Sequence, residues 1–243
     1  MDLKGKTALI LGGSSGIGLG VARVLAREGC RVAISGRNRE KLEKAAADWP
    51  VEPPVFTRPC DVADRHDVRR LVAWAIGHLG RLDIVVNSAG INVARRKMVE
   101  LDPHEFDRIM ATNCTGFYNV LHAVLPAMRQ NRSGLIVSIS SVAGKRALPL
   151  AGPAYSASKF AATALATSVG LEERANGIRI TSIFPGEVDT PLLDQRPVPV
   201  PPERRAQMLH PDDLGHCVVA LAKLPPNVVV PELIVTPMYQ EYM

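Results

Sequence analysis

The N-terminal segment of the chain constrains the fold more than any other part of the sequence. Residues 7–11 are a short apolar run, typical of a strand buried on both faces of a parallel sheet. A turn with the glycine spacing G-x-x-x-G-x-G follows, and then a helical pattern. Glycines let the backbone approach a pyrophosphate, and the free amides at a helix N-terminus favour its negative charge. We therefore predict a phosphate-binding unit rather than a glycine-rich surface loop. Its predicted binding residues are Gly12, Ser14, Ser15, Gly16, Ile17 and Gly18.

Apolar runs alternate with amphipathic segments along the rest of the chain. Further strands are predicted at residues 31–35, 55–58, 82–86, 135–139, 178–183 and 232–235, and helices at 19–27, 39–48, 65–79, 105–128 with a break near 111–113, and 155–174. Strands that alternate with helices require right-handed crossovers. The pattern predicts an α/β fold, a Rossmann-like doubly wound seven-stranded parallel sheet with helices on both faces. A chain of 243 residues suits one such domain over residues 1–243.

The second predicted strand, residues 31–35, is followed by Gly36-Arg37-Asn38, a segment without a carboxylate. In a dinucleotide-binding fold this end of the strand meets the adenosine ribose. An acidic residue there binds a free 2′-hydroxyl, whereas an arginine suits a 2′-phosphate through a planar bidentate contact. We therefore predict NADP(H) in preference to NAD(H). The alternative is that Arg37 only faces solvent.

The formal net charge of +5 raises the question of nucleic-acid binding. The basic residues are spread out along the chain. The clusters Arg95-Arg96-Lys97 and Arg204-Arg205 are short and lack interleaved aromatic residues that stack on bases. We interpret both clusters as solvated faces, and no nucleic-acid partner is predicted.

Cysteine usage and hydropathy indicate a reducing, aqueous compartment. The four cysteines are scattered without a CxxC spacing, and no long apolar run follows the N-terminal positive charges. We therefore expect neither disulfides, nor a metal site, nor a signal peptide. The uncharged stretch between Arg108 and Arg129 contains Asn113, Asn119 and Pro126, which a membrane span tolerates poorly. A cytoplasmic protein without a membrane partner is expected, with this stretch buried against another subunit.

A tyrosine and a lysine lie four residues apart in the sequence Tyr155-Ser-Ala-Ser-Lys159, within a window of helical composition. This spacing puts the phenol and the ammonium on one helix face. Lowering the pKa of a tyrosine by about three units takes roughly 4 kcal/mol, which one desolvated ammonium can largely supply. Such a tyrosine can give or take a proton near neutral pH. The alternative is a partly buried tyrosine beside a solvated lysine.

Seven motifs, in order along nearly the whole chain, resemble those of the compact, single-domain short-chain dehydrogenases/reductases. They are Gly12-(x3)-Gly16-Ile17-Gly18, Asp61-Val62, Asn87-Ser88-Ala89-Gly90, Asn113, Ser141, Tyr155-(x3)-Lys159 and Pro185-Gly186. The resemblance implies an oxidoreductase acting on CH–OH groups, which transfers hydride between NADP(H) and a ketone or secondary alcohol. The expected partner is a small-molecule carbonyl compound or alcohol.

The resemblance also implies a role for each matching position. Tyr155 would be the general acid or base, and Ser141 would hold the same substrate oxygen. Lys159 would bind the nicotinamide ribose and lower the pKa of Tyr155, while Asn113 would kink its helix and anchor a water in a proton relay. The catalytic residues implied are Asn113, Ser141, Tyr155 and Lys159. Cofactor-binding residues implied, besides Tyr155 and Lys159, are Asp61, Val62, Asn87, Ala89, Gly90, Pro185, Gly186, Val188 and Thr190.

Some positions depart from the family pattern. Leu11 stands where threonine is common, and Ser88 replaces a common second asparagine. The loop from Ser141 to Tyr155 is one residue longer than usual, so Ser140 stays an alternative to Ser141. The C-terminal segment lacks the glycine-glycine tail frequent in acyl-carrier reductases of the family, which disfavours that activity.

Residues 187–210 are predicted to form a substrate-binding lid. Its apolar residues are Leu192, Leu193, Val198, Val200, Met208 and Leu209. They favour a hydrophobic ketone or alcohol, whereas Arg196, Arg204 and Arg205 leave open an anionic carrier, as in a 3-oxoacyl-carrier-protein reductase. A non-catalytic NADP(H)-sensing protein of the same fold is a further alternative, which the intact catalytic set disfavours.

The resemblance also implies a homotetramer, or a homodimer, through the helices near residues 112–128 and 154–173.

Overall fold

The fold, described here for residues 1–241 of a computed structural model, is built on one sheet of seven parallel strands. In chain order these are β1 (Thr7–Leu11), β2 (Arg31–Gly36), β3 (Phe56–Pro59), β4 (Ile84–Asn87), β5 (Gly134–Ile139), β6 (Ile178–Pro185) and β7 (Glu232–Val235). Their order across the sheet is β3-β2-β1-β4-β5-β6-β7. The predicted Rossmann-like sheet is confirmed, and each predicted strand end lies within two residues of the observed one.

Helices cover both faces of this sheet. They are α1 (Gly16–Arg27), α2 (Arg39–Ala47), α3 (Arg65–Leu79), α4 (Pro103–Met110), α5 (Gly116–Asn131), α6 (Pro153–Glu172), α7 (Pro202–Arg205) and α8 (Pro211–Lys223). Side chains of β1 alternate between the two faces. Ala8 and Ile10 join a buried cluster with α1, α2 and α8, whereas Leu9 and Leu11 join one with α3, α5 and α6. No helix of the described residues is both long and apolar enough to cross a bilayer.

The strand order opens a crevice beside β1. The chain winds outward from β1 to β2 and β3, and then crosses to β4 on the other side of β1. Connections leaving the carboxyl ends of β1 and β4 therefore diverge, and ligands bind at this point in open α/β sheets. The phosphate-binding turn predicted after β1 lies here.

The predicted break near residues 111–113 falls where the α-helix is interrupted, although residues 103–131 remain one helical run. Asp102 caps α4 by accepting a hydrogen bond from the backbone N–H of His104, and Pro103 occupies the first helical turn. A π turn at Ala111–Thr115 then joins α4 to α5. Such a turn widens a helix by one residue without ending it, and it often marks a functional site.

The segment 187–210 folds back over the carboxyl end of β6. It contains a 3-10 turn at Pro191–Gln195 and the short helix α7. Its two ends meet in a parallel bridge, in which the N–H of Asp189 donates to the carbonyl of Leu209 and the N–H of Leu209 donates to that of Glu187. The segment is thus a closed loop with both ends anchored at one place.

Candidate active site

A crevice of about 770 Å³ runs along the carboxyl ends of the central strands. This volume lies within the range of roughly 300–1,000 Å³ that is usual for ligand sites. Most of the predicted cofactor-binding residues line it. These are Gly12, Ser14, Ser15, Gly16, Ile17, Arg37, Val62, Ala89, Gly90, Tyr155, Lys159 and Thr190.

The other predicted cofactor residues lie next to the crevice rather than in its wall. Pro185, Gly186 and Val188 line a smaller neighbouring cavity. Asp61 is engaged in its own turn, where its carboxylate accepts a hydrogen bond from the N–H of Ala63. Asn87 is buried, and its side-chain oxygen has no hydrogen-bond partner among the described residues.

The glycine turn after β1 allows a close approach of backbone to backbone. Gly12 has a φ of +73°, and a Cβ at this position would lie 2.7 Å from the backbone nitrogen of Ala89. A Cβ at Gly18 would lie 2.2 Å from the carbonyl oxygen of Gly12, so Gly18 lets α1 start directly against the turn.

The start of α1 suits a pyrophosphate. Ser15 is the N-cap residue of α1, and its side chain makes no hydrogen bond to the first turn. Amides in a first helical turn have no partner within the helix, and here Ser15, Gly16 and Ile17 line the crevice. The residues present therefore fit the phosphate groups of a dinucleotide.

Two basic side chains flank the crevice where β2 ends. Arg37 and Lys41 are exposed and line it together with Asn38. The side chain of Asn38 accepts a hydrogen bond from the N–H of Lys41 and so starts α2, which places Lys41 in the first turn of that helix. No acidic residue occupies positions 35–38. Sequence reasoning missed Lys41, although a lysine one helical turn after the strand-end arginine was a usable signal.

Tyr155, Ser141 and Lys159 meet at one end of the crevice. Tyr155 lies in the first turn of α6, and Ser141 follows β5. Tyr155 and Ser141 line the same small cavity, and Ser141 acts on the Tyr155 phenol by lowering its pKa, whereas the hydroxyl of Ser140 lies 3.4 Å from that of Thr163. The Nζ atom of Lys159 lies 5.6 Å from the Tyr155 ring centroid. Of the two serines, Ser141 is the one that acts on the Tyr155 phenol.

Asn113 holds the loop after β4 against α6. Its side-chain oxygen accepts a hydrogen bond from the N–H of Ile91 at 2.8 Å, and its amide donates to the Ile91 carbonyl and to Ser158, each at 3.0 Å. Ser158 precedes Lys159 in α6. The π turn thus presents a buried amide next to the group formed by Tyr155, Ser141 and Lys159.

Burial has opposite effects on the pKa values of Tyr155 and Lys159. Burial raises the pKa of Tyr155, and the hydrogen bond to Ser141 and the positive charge of Arg96 offset this only in part. Burial lowers the pKa of Lys159 to about 8. The Nζ atom of Lys159 donates to the carbonyl of Ile139 at 2.9 Å. Desolvation disfavours both charged forms at this position, and the cation that lowers the pKa of Tyr155 is Arg96.

A second cavity, of about 190 Å³, adjoins the crevice at Tyr155. Both spaces are lined by Ile17, Ser140, Tyr155, Thr190 and Leu192. Leu148, Leu150 and Leu193 add apolar wall, and Asn92 and Gln240 add amides. Of the six apolar lid residues named from the sequence, Leu192 and Leu193 line this cavity, whereas Val198 is 73% exposed and does not cover it.

Arg96 lies in the wall of this cavity and is only 7% exposed, so its interpretation as part of a solvated cluster is wrong. Its guanidinium donates to the backbone carbonyls of Val93, Leu150 and Gln195. These carbonyls belong to three different loops. The neighbours Arg95 and Lys97 are exposed, as predicted.

Glu187 is the centre of a second buried polar group. Its carboxylate accepts hydrogen bonds from Arg196, Arg204 and Tyr239. Burial raises the pKa of Glu187, but these hydrogen bonds outweigh it and leave that pKa below its ordinary value. Arg205 pairs with Asp189 and Asp194. Arg196, Arg204 and Arg205 are thus all paired with carboxylates of the segment 187–210, although Arg204 stays exposed as predicted.

Comparison with known proteins identifies the family. The family model for short chain dehydrogenases matches residues 6–198. The chain is 36% identical to a glycine betaine reductase of Emericella nidulans over 97% of its own length, but it spans only 19% of that protein.

Two solved structures are similar over nearly their whole length. The alcohol dehydrogenase of the archaeon Thermococcus sibiricus, complexed with 5-hydroxy-NADP, is 31% identical with a TM-score of 0.86, and the match covers 98% of this chain and 99% of that one. The 3-ketoacyl-(acyl-carrier-protein) reductase of Brucella melitensis, complexed with NADH, is 28% identical with a TM-score of 0.87, and the match covers 96% and 98%. The resemblance seen in the sequence is confirmed, and the chain belongs to the short-chain dehydrogenase/reductase family of oxidoreductases.

Proposed function

We propose that the protein is an NADP(H)-dependent oxidoreductase that interconverts a ketone and a secondary alcohol, with Tyr155 as general acid and base. The observation that carries this proposal is the position of the Tyr155 phenol. It lies where the crevice and the smaller cavity meet, and Ser141 lines that cavity beside it. A dinucleotide in the crevice and a small substrate in the cavity would therefore share Tyr155.

A bound nicotinamide cofactor would supply hydride for reduction of the carbonyl and accept it in the reverse reaction. The chain's own residues act on the substrate oxygen. Ser141 and Tyr155 donate hydrogen bonds to this oxygen and stabilise the negative charge that grows on it during reduction. Tyr155 then transfers its proton to the oxygen. With its pKa at or above the ordinary value, the phenol carries a proton at neutral pH and can donate it to the substrate oxygen.

Lys159 and Asn113 support this group. The ammonium of Lys159, held by the Ile139 carbonyl, lines the crevice beside Tyr155 and would bind the ribose hydroxyls. Asn113 fixes the Ile91 backbone and Ser158, and so orients the loop after β4 relative to α6. The roles proposed for Tyr155, Ser141, Lys159 and Asn113 follow the family pattern.

The proposed preference for NADP(H) rests on Arg37 and Lys41. Both are exposed at the crevice and neither forms an ion pair within residues 1–241, so both remain available to a 2′-phosphate. The two similar structures carry an NADP derivative and NADH respectively, and so they support a nicotinamide dinucleotide without choosing between the two.

A second candidate function is reduction of a 3-oxoacyl group on a carrier protein, favoured by the likeness to the Brucella melitensis reductase. The arginines that would meet the anionic carrier, Arg196, Arg204 and Arg205, are already paired with carboxylates of the lid. We therefore place this candidate second.

We further propose that residues 187–210 act as the substrate lid and that the protein works in the cytoplasm.

Replacing Tyr155 by Phe tests the proposed function. The variant keeps the ring but removes the acid, so turnover of a ketone should fall by about 10²-fold or more, while the Kd for NADPH changes little. Turnover is followed by absorbance of the reduced nicotinamide, and Kd by NADPH fluorescence. Tyr118→Phe, which changes a half-exposed tyrosine on α5, is the matched control. Equal losses of turnover and of NADPH affinity in Tyr155→Phe would contradict the assigned role.

A further inference from the structure

The guanidinium of Arg96 is a buried cation that has no carboxylate partner. Arg96 is 7% exposed, its recorded acceptors are three backbone carbonyls, and it takes part in none of the ion pairs of the described chain. Burying a charge without a counter-ion is costly. This cost points to a negative group that Arg96 meets outside its own chain.

Arg96 also has hydrogen-bond donors to spare. A guanidinium carries five N–H groups. In Arg96 the Nε–H and one N–H on each terminal nitrogen go to carbonyls, which leaves a second N–H on each terminal nitrogen without an acceptor among residues 1–241. Donors on two nitrogens of one guanidinium match the two oxygens of a carboxylate.

The cavity that Arg96 lines has an excess of one positive charge. Its charged lining residues are Arg96, Arg196 and Glu187. The carboxylate of Glu187 is already taken up by Arg196, Arg204 and Tyr239. Burial and the nearby charge of Arg196 lower the pKa of Arg96, and the neighbouring phenol of Tyr155 offsets this only in part. The positive charge of Arg96 is thus left uncompensated within the cavity.

Arg96 is close to the reacting end of the site. A Cβ added to Gly152 would lie 2.9 Å from the Cβ of Arg96, so the two backbones are in close contact. Gly152 is the N-cap residue of α6, three positions before Tyr155. The cavity of about 190 Å³ is smaller than the roughly 300–1,000 Å³ of sites for drug-sized ligands. One small molecule would therefore contact both Arg96 and Tyr155.

We infer that the substrate is a short oxo acid, or the corresponding hydroxy acid, whose carboxylate binds Arg96 while its carbonyl or alcohol oxygen meets Tyr155 and Ser141. This inference deepens the proposed oxidoreductase function and rests on it. The apolar side chains Leu148, Leu150 and Leu193 contact the carbon chain between or beside the two polar ends. The expectation of a purely hydrophobic ketone is accordingly narrowed to a ketone that carries an acid group.

A purely structural role of Arg96 makes a different prediction. The carbonyls of Val93, Leu150 and Gln195 lie on separate loops, and the guanidinium joins them. If this clamp were the whole role, loss of Arg96 would reduce the turnover of charged and neutral substrates alike.

Pairs of acids and esters separate the two roles. In pyruvate, acetoacetate and levulinate the ketone is at carbon 2, 3 or 4, counted with the carboxylate carbon as carbon 1. Their methyl esters are neutral controls of similar shape. With the wild-type protein, kcat/KM for at least one acid should exceed that for its ester by about tenfold or more. In Arg96→Gln, kcat/KM for that acid should fall about tenfold further than for its ester, and Arg96→Lys should keep part of the preference. Arg95→Gln, at the exposed neighbour, is the matched control and should behave as wild type.

A binding measurement covers the case in which the Arg96 variants fail to fold or no compound is reduced. Calorimetry with wild-type protein and saturating NADP⁺ compares butanoate with the neutral butanamide, and butanoate alone should bind. Equal binding of the two, or ester turnover equal to acid turnover in the wild type, would overturn the inference, as would equal losses for acid and ester in Arg96→Gln. Butanoate binding without reduction of any carbonyl compound would keep the anion site and refute the proposed function instead.

Discussion

Lys159 is held at a position that favours its neutral form. The side chain is 6% exposed, and its ammonium has the Ile139 carbonyl as its recorded acceptor. Burial lowers the pKa of Lys159 to about 8, compared with about 10.4 for lysine in water. A folded-state pKa below the unfolded one means that the charged lysine destabilises the fold at every pH below 8. That cost is relieved as the pH rises from about 8 to above 10.

Lys159→Met is therefore expected to stabilise the protein at pH 7. The free energy of unfolding should rise by an amount on the order of 3 kcal/mol, because a pKa difference of one unit corresponds to about 1.4 kcal/mol. Urea denaturation at a series of pH values measures it. The gain over wild type should shrink between pH 8 and pH 10, since the wild-type protein loses its buried charge there.

Lys44→Met, at an exposed lysine of α2, is the control for this measurement and should show no such pH dependence. A Lys159→Met gain that is absent at pH 7, or that stays constant up to pH 10, would mean that the ammonium is adequately solvated in the fold. Stabilisation together with lost turnover is the trade-off expected where a functional group is retained at a cost in stability.

The sequence indicates residues whose role is tied to backbone geometry, and it does not indicate Arg96. Gly12 and Gly18 follow from a turn that admits no side chain, and Tyr155 and Lys159 follow from a helical spacing. The burial of Arg96 depends on the meeting of three loops that are distant in sequence. No local pattern separates it from its exposed neighbour Arg95.

At the scale of elements, strands were predicted more closely than helices and turns. The central strands β1, β4 and β5 are largely apolar runs, so their ends are marked locally, although the edge strand β3 is not such a run. The π turn at residues 111–115 has no such mark, because Asn113 makes its hydrogen bonds to Ile91 and Ser158, which lie elsewhere in the chain. Asn113 therefore resembles a helix breaker in the sequence. In the fold it lies in a π turn that interrupts the α-helix without ending the helical run.

The connection between β2 and α2 is the element that should select the cofactor. Arg37 directly follows β2 and Lys41 lies in the first turn of α2, and both line the crevice. Arg37→Ala should weaken NADPH binding by about tenfold to a hundredfold, since a hydrogen bond to a charged group contributes about 1.5–3 kcal/mol. NADH lacks the 2′-phosphate, and its Kd should change little.

Fluorescence titration with NADPH and with NADH measures the change in each Kd. Arg39→Ala, at an exposed arginine of α2, is the matched control. Lys41→Ala should act in the same direction, with a smaller loss because a lysine makes no bidentate contact. Parallel weakening of NADPH and NADH in Arg37→Ala would contradict the assignment of the 2′-phosphate site.

At the scale of the whole molecule, α5 and α6 carry apolar surface that the sheet does not cover. Tyr118 on α5 and Phe160 and Leu171 on α6 are exposed by 40%, 44% and 57%, although both helices bury their other faces in one cluster against the sheet. Exposed aromatic and aliphatic side chains on adjacent helices favour association with a further copy of the chain.

We therefore expect a homotetramer, with a homodimer as the smaller alternative. Light scattering should give a mass of four, or two, times the 26.2 kDa of one chain. Phe160→Glu combined with Leu171→Glu places charge on the α6 surface and should reduce the measured mass. Val198→Glu, at an equally apolar and more exposed position of the lid, should leave the mass unchanged. A wild-type mass of one chain at micromolar concentration would show that these helices face water, and that exposed apolar area on α5 and α6 serves something other than assembly.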